Sequence, residues 1–461
     1  MKKIFTQMFL VALMLVCSQV AGAQNFSGGT GTEADPFQIA NAADLQQLSK
    51  DVAVDMNSYA GSFFVMTQDI DMEGVTDFDP IGNNFSGDLH PFSGSFDGQG
   101  HKIFNFKKEW EELGFVGIFG IIMNANIENL TLASSNIYGD LSVGGIVGVA
   151  MGDNVISNCH TAADVTIGVR KFYIAGICGG ALVSGEKGTV IKDCTNGAKI
   201  VGCVGYSAGI LGTNSQANCQ ILRCGNYGEI SDDQLHVAGI VAHTKNGISI
   251  IDCYNTGKIS MLAIEGAENA RGGGILAEGS EVPAEENIII KNCYNAGSFL
   301  EESYQEHAIY LGDYESYDNT FLTNCYYKSD MFYYGYDHCT NVTTDVMKSE
   351  EFVSMLNDGR TDDACWVIAE GVNNGYPVPT KNSTDTSIGM VEGSSMSMVY
   401  GAGVVTVANA EGAMVVVTDI TGRTMAVTAA DAQGNATVDM SVLPEGAYIV
   451  SANGKSIKVV K

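Results

Sequence analysis

The side chains that could do chemistry in this sequence fall into four sets. Cys159, Cys194, Cys224, Cys253, Cys293 and Cys325 each sit between an apolar run and an Asn/Gly stretch, as in "IIDCYNTGKIS". Thiols act as nucleophiles, disulfide partners or soft-metal ligands. These occur singly, with no C-x-x-C pair to start a tetrahedral zinc site, which leaves a disulfide set or a file of buried thiols. The residues just before them read Asn158, Asp193, Arg223, Asp252, Asn292 and Asn324. Asp193 and Asp252 are the types a glycosidase pairs as acid and base, but Arg223 falls between them and would hold both ionised, as a surface ion ladder does. A third set, Asp69, Asp71, Asp77 and Asp79 in "TQDIDMEGVTDFD", offers oxygen ligands of the kind calcium takes. Its spacing is not that of an EF-hand loop, and solvated loop carboxylates are the competing reading. The fourth set is aromatic. Tyr254, Tyr294 and Tyr326 directly follow their cysteines, and "CYYKSDMFYYGY" adds Tyr327, Tyr333, Tyr334 and Tyr336. Exposed, these rings make a platform for sugar rings or a partner protein; buried, they seal the last repeat against a cap. The seven histidines show no ligand spacing, and His236 and His243, flanking a strand and a turn, read as surface residues. H-E-x-x-H does not occur.

The elements that must position these sets follow from a repeat. Successive cysteines of the file are 35, 30, 29, 40 and 32 residues apart. Two further columns keep step: Val165, Ile200, Ile230, Ile259 and Phe299 six places on, and a Gly-apolar element later, in "GGIVG", "AGICG", "AGILG", "AGIVA" and "GGILA". Three short strands per unit, separated by Gly/Asn turns, make one coil of a right-handed parallel β-helix, whose coils stack at about 4.8 Å so that each column becomes a ladder. The cysteines then form an interior ladder. Asn196, Asn226, Asn255 and Asn295, two places on, fall where the chain must bend, in a left-handed conformation, with their amides bonded from coil to coil. Strand alternation turns the tyrosines after the cysteines outward.

Composition sets the class. Fifty-five glycines, seven prolines and 17% charged residues in 461 fit an all-β chain with many turns. The formal net charge of −29, or −31 without Lys2 and Lys3, argues against nucleic acid as a partner. "MKKIFTQMFLVALMLVCSQVAGAQ" has the basic start, apolar run and small-residue site of a cleavable signal peptide, residues 1–23. Val16 before Cys17 is too large for a lipid-attachment site. No later stretch is apolar enough for a transmembrane segment after cleavage, so the expected location is extracellular or the outer cell surface.

The solenoid is expected over residues 24–380 as about eight coils. "NAADLQQLSKDV" reads as an N-terminal capping helix with Asn41 as cap and Leu45, Leu48 and Val52 inward. "KSEEFVSMLN" reads as a C-terminal one with Ser349 as cap and Phe352, Val353 and Leu356 inward. Residues 381–396 are small and polar, a linker. Residues 397–461 change to short alternating runs, the pattern of a small antiparallel β-sandwich.

"PFSGSFDGQGHKI", the "GGIVG…ISNC" units and "EFVSMLN…W…NNGYPV" together resemble GLUG-motif surface proteins of Bacteroidota and related bacteria, over residues 28–380. The tail, with "DITGR", "LPEGAYIV" and "KVVK", is similar to the C-terminal sorting domain of type IX secretion clients. The resemblance implies handling by export machinery through the C-terminal domain and an adhesin-like role without catalysis, on an extracellular glycan or protein ligand; no cofactor is required, and the calcium considered above is optional. Where the motif has a first Gly, this chain has Ala175, Ala208 and Ala238, and its last copy places Ile309 at the second Gly, which predicts distorted final coils. Two alternatives remain: a polysaccharide lyase or hydrolase on the same scaffold, and an architectural spacer.

Overall fold

The computed structural model describes residues 26–380 and 397–460. It leaves out 84–87, 111–113, 203–204, 233–235, 262–270, 284–285, 301–305, 311–319, 330–338 and 362–363 in the first span. In the second it leaves out 402–403, 409–413, 420–422, 432–434, 441, 445 and 453–454. Two compact units result, Met1–Thr386 and Ser387–Lys461.

One lap of the first unit shows how the repeat folds. Val155–Ser157 lies on a first face, and His160–Thr161, Thr166–Val169, Tyr173–Ala175 and Cys178–Ser184 lay down four more. Val190–Lys192 then returns to the first face, parallel to Val155–Ser157 and residue for residue beside it. Repetition gives five parallel faces of ten, ten, seven, seven and six strands, a solenoid of about eight turns. A lap therefore has five strands, not three. The strands after the cysteines are only two residues long, too short to show alternation in sequence, and the Gly-apolar element is itself a corner between two faces.

That corner explains the glycine. A Cβ on Gly209 would meet Gly239 O at 2.3 Å, one on Gly239 would meet Gly274 O at 2.3 Å, and one on Gly274 would meet Ala308 O at 1.9 Å. The coils approach too closely there for any side chain. The position before it has room for a methyl, so Ala175 and Ala208 are accepted and fully buried. In the last copy Ala308 occupies the glycine position, and Ile309 stands in register with Ile275, whose N–H bonds to its carbonyl at 3.1 Å. The second Gly is therefore replaced by Ala308 and not, as expected, by Ile309.

Ladders of isoleucine fill the interior: Ile127, Ile156, Ile191, Ile221, Ile250 and Ile290 behind the first face, and Ile146, Ile177, Ile210, Ile240, Ile275 and Ile309 at the corner, all essentially without exposure. Burying so many large side chains in register, at about 2 kcal/mol or more each, is what offsets the entropy of ordering the laps.

Helix α1 (Ala42–Ala53) closes the N-terminal end. Asn41 Oδ1 accepts the Asp44 N–H at 3.1 Å, and Leu45, Leu48 and Val52 are buried. The C-terminal cap comprises α2 (Thr344–Met347), α3 (Glu350–Asn357) and an antiparallel pair, Trp366–Val367 with Val378–Pro379. Phe352, Val353 and Leu356 of α3 point inward. Ser349 holds the cap position, but its hydroxyl turns back to Val346 O at 2.7 Å instead of capping. The second unit has antiparallel sheets of three and four strands around one core, in which Val405, Val407, Val415, Val417 and Val450 are fully buried.

Candidate functional site

The six thiols form one buried file, none more than 2% exposed, and each is a free cysteine. Backbone N–H groups of Cys159, Cys224 and Cys253 reach Cys194, Cys253 and Cys293 Sγ at 3.4 Å. Burial pushes Cys194 and Cys253 well above the ordinary thiol value, which keeps these two sulfurs protonated. Inside the same coils, Asn196 Nδ2 donates to Asn226 Oδ1, Asn226 to Asn255 and Asn255 to Asn295, at 2.7, 2.7 and 2.9 Å. The amide ladder is there, but the left-handed bend is not at these residues. It lies one place before the cysteine, where Asn158, Asp193, Arg223, Asp252, Asn292 and Asn324 all have φ between 51° and 56°. That column is mostly Asn and Asp because their side chains tolerate this conformation.

This corner decides the carboxylate pair. Arg223 Nε donates to Asp193 Oδ1 at 2.7 Å. Asp252 is instead clamped by the C-terminal cap: Arg360 Nη2 and Nη1 donate to its two oxygens at 2.7 and 3.0 Å, and Trp366 Nε1 adds a third bond at 3.0 Å. Asp252 is an anchor, 6% exposed, and unavailable for acid–base work.

The cap docks on the outside of the second face, which corrects the tyrosine platform. Tyr254, Tyr294 and Tyr326 do point away from the thiols, but they are 3%, 0% and 8% exposed because Phe352, Leu356 and Trp366 lie over them. Tyr254 and Tyr294 stack with centroids 5.6 Å apart, and the Tyr294 hydroxyl donates to Pro377 O at 2.6 Å. Burial drives the Tyr294 phenol far above its ordinary value. Tyr327 is half-buried, in register with Asn295. Tyr333, Tyr334 and Tyr336 lie outside the described residues.

Where the cap ends, the same face emerges and forms a notch of about 520 Å³, within the size range of small-ligand sites. Thr195, Tyr227, Tyr254 and Thr256 line it from the solenoid, and Gly371, Val372, Asn373 and Asn374 from the cap. Behind the Tyr227 ring lies Gly197: a Cβ there would lie 2.3 Å from the ring, so the ring packs against the coil only because residue 197 is glycine. Tyr227 is 45% exposed. The Thr195 hydroxyl lies between the Tyr227 phenol and His160 Nδ1, the latter at 2.8 Å. Thr256 Oγ1 donates to Asn373 Oδ1 at 2.6 Å, and Asn373 Nδ2 donates to the Tyr294 hydroxyl at 3.0 Å, which ties the cap loop to the coil. Asn373 and Asn374 are both left-handed, at φ 48° and 52°, a strained pair of the kind that marks a shaped loop. Among the described residues no charged side chain lines the notch.

The four N-terminal carboxylates go to separate partners. Asp69 pairs with His101 Nδ1 at 3.1 Å, Asp71 accepts from Asn105, Asp77 from Gln46, and Asp79 from Trp110 Nε1 at 3.2 Å. Among the described residues no group of three or more His, Cys, Asp or Glu is placed to hold a metal ion.

The histidines were misread from sequence. His236 and His243 are buried, 5% and 1% exposed, and meet Glu278 at 2.7 and 3.9 Å from their Nε2 atoms. Register was the available signal, since Thr213, His243 and Glu278 share one column. His236 Nδ1 accepts the Arg271 N–H at 3.2 Å, which puts the ring proton on Nε2 facing Glu278 and makes this ring a donor, not a ligand. His243 Nε2 is 2.9 Å from Ser280 Oγ, a nucleophile–base distance. Its Nδ1 meets Thr213 rather than a carboxylate, and burial pulls the ring down to about 4, leaving it a poor base.

No family model matches the chain. Over 161 residues it is 29% identical to Halomucin of Haloquadratum walsbyi, covering 34% of this chain and 2% of that protein. Over 146 residues it is 30% identical to a protein of Evansella cellulosilytica named as a Gly-rich membrane protein, covering 30% of this chain and 16% of the other. The chain thus spans a small part of both relatives. Among solved structures it is similar to one from Bacteroides ovatus named as an immunoglobulin A1 protease, with TM-score 0.48 and 19% identity over 77% of this chain and 95% of that one. A second, named IgA1 protease, gives TM-score 0.42 and 14% identity over 67% and 22%. Likenesses at that level carry no argument about activity.

Proposed function

We propose that this chain is an exported, surface-acting binding protein whose solenoid takes an uncharged sugar ring of an extracellular glycan in the notch at Tyr227, without catalysing a reaction on it. The observation that carries the reading is the half-exposed Tyr227 ring, packed closely against Gly197 in a notch that Thr195, Thr256 and Asn374 also line. An aromatic face takes the C–H side of a sugar, while hydroxyls and amides take its rim. Supporting the surface location are the leader-like opening residues, the tail's similarity to sorting domains of type IX secretion clients, the GLUG-like repeats, and a relative named as a membrane protein. Among the described residues no helix is long and apolar enough to cross a membrane. Against catalysis stand the occupied Asp193 and Asp252 and the weak base at His243.

The test is a glycan array with the full chain, followed by titration of the strongest hit. Tyr227→Ala should weaken binding about tenfold, the equivalent of about 1.4 kcal/mol, with the same unfolding midpoint as the parent. Unchanged affinity sinks the notch as the site. Release of reducing or unsaturated sugars from any array hit sinks the non-enzymatic reading.

A further inference from the structure

The thiol file does not end at Cys325. Cys339 continues it: Cys325–Lys328 and Cys339–Val342 pair in parallel with Cys325 directly beside Cys339, and the two sulfurs are in contact. This last pair differs from those before it in two ways. Earlier thiols open strands that are held by a neighbour on each side, whereas among the described residues Cys339–Val342 is the outermost strand of its sheet and pairs with one neighbour. Earlier thiols are also sealed, whereas Cys339 is partly exposed.

Both differences bear on disulfide chemistry. Parallel neighbours place their Cα atoms about 4.8 Å apart, inside the range a disulfide spans, but hold the Cβ atoms slightly too far apart and with parallel bond directions. A strand paired on both sides cannot correct that. An outermost strand can shift by the few tenths of an ångström required. Exposure supplies the other requirement, since exchange begins when a thiolate reaches a sulfur of an incoming disulfide.

We propose that Cys325 and Cys339 are a dithiol modification site, oxidised to an intrachain disulfide by a small-molecule or protein disulfide donor in an oxidising compartment, while the rest of the file stays reduced. The Cys339 thiolate attacks one sulfur of the donor, forming a mixed disulfide and expelling the first donor thiol. The Cys325 thiolate then attacks Cys339 Sγ, the internal bond forms, and the second donor thiol leaves. Both cysteine protons go to solvent and then to the departing thiolates. The donor gains two electrons and the protein loses two. The bond ties the final strand to the coil beneath it, immediately before α2, and so fastens the entry to the C-terminal cap.

The experiment equilibrates the full-length chain with oxidised and reduced glutathione at several ratios. It then traps thiols by acid, unfolds the protein, alkylates it and maps its peptides. The expected result is a Cys325–Cys339 cross-link in the oxidised samples, with Cys159, Cys194, Cys224, Cys253 and Cys293 alkylated as free thiols throughout. Cys325→Ala should leave a stable glutathione adduct on Cys339, because the resolving thiol is gone. The proposal is overturned if Cys325 and Cys339 are both alkylated under the most oxidising ratio. It is also overturned if the parent accumulates glutathione on Cys339 with Cys325 free. Because the readout is covalent mapping of the parent chain against its own reduced sample, misfolding of the variant cannot mimic the cross-link.

Discussion

Replacing Asp252 by Asn should release the C-terminal cap while leaving the coils intact. Asn is the informative substitution because residue 252 is left-handed, at φ 55°. Alanine would add about 1 kcal/mol of backbone strain to the lost contact, whereas Asn tolerates the conformation and keeps the shape. What Asn removes is charge. The parent carboxylate takes two bonds from Arg360 and one from Trp366 Nε1, with only 8% of its side chain and 17% of the Arg360 side chain exposed. Breaking a buried pair by removing one charge typically costs about 3–5 kcal/mol. Two features place this case below that range. Arg360 keeps its bonds to the carbonyls of Asn357 and Leu356 at 3.0 and 3.1 Å, and the Asn oxygen can still accept from Trp366. Losing the two charge-assisted bonds from Arg360, with the Trp366 bond kept as a neutral one, gives about 2 kcal/mol. In a solenoid that cost falls on the neighbouring elements rather than on the whole chain. The assay is tryptophan emission. The chain has two tryptophans, so in a Trp110→Phe background the signal comes from Trp366, which is 1% exposed. On titration with urea, Asp252→Asn should shift the Trp366 transition to a lower midpoint while the far-UV signal of the coils keeps the parent midpoint. Arg360→Ala should do the same, and the double variant should lose less than the sum. A Trp366 transition unchanged in Asp252→Asn, or strict additivity of the two substitutions, refutes the anchor.

Asn226→Ala removes the acceptor of Asn196 Nδ2 and the donor to Asn255 Oδ1 inside the core; a loss of about 2 kcal/mol is expected, read from the urea midpoint of the coils. Loss indistinguishable from that of an exposed Asn→Ala control would mean the ladder is neutral. For pH, the sign follows from His243, held by burial at about 4 against an ordinary 6.5. The unfolded chain therefore binds the proton first, and His243's contribution is full above pH 6.5 and lost as pH falls toward 4, at most about 3 kcal/mol. Glu278 acts in the same direction further down: burial opposes its ionisation, but the His236 hydrogen bond and the charges around it hold its carboxyl below the ordinary value. His243→Gln should flatten the fall in unfolding midpoint between pH 6.5 and 4; an equally steep profile in the variant refutes the assignment.

How much of this was legible in the sequence depended on the distance over which each residue acts. The Cys159-to-Cys325 column could be read because its ladder is built by identical neighbours one lap away. The outward direction of Tyr254 and Tyr294 could be read for the same reason. Their burial stood only as one of two readings, a seal under the cap, because Phe352, Trp366 and Pro377 come from a segment that leaves the repeat, and a period does not fix how far such a segment reaches. The bend was misplaced by three residues because Asn occurs on both sides of the cysteine, in one place for its backbone and in the other for its amide. Arg223 hid the corner further, as the one residue of that column outside the Asn/Asp pair. His236, His243 and Glu278 are hard to read because Tyr206, His236 and Arg271 share one column and Thr213, His243 and Glu278 another, and a repeat shows itself through like residues.

The position of the cap bears on function as well as stability. A cap seated only on the end of a solenoid protects the open hydrogen bonds of the last lap and touches nothing else. This one also folds back along the outside of the second face, covering Tyr326, Tyr294 and Tyr254 in turn and stopping at Thr256, where Asn373 is bonded to the coil. The column it covers continues below as Gly225 and Thr195. Gly225 is required by the cap-side ring, since a Cβ there would lie 2.1 Å from Tyr254. The descending order Tyr, Tyr, Tyr, Gly, Thr thus changes character where the cover ends, and Tyr227 presents its ring just beyond that edge. One wall of the notch is repeating and rigid, and the other is a strained loop held by Asn373 and, through the cap, by Asp252. If that is how the notch is shaped, Asp252→Asn should weaken ligand binding without touching the ligand, and saturating ligand should restore the Trp366 transition toward the parent midpoint. Binding that survives cap release undiminished would assign recognition to the coil wall alone.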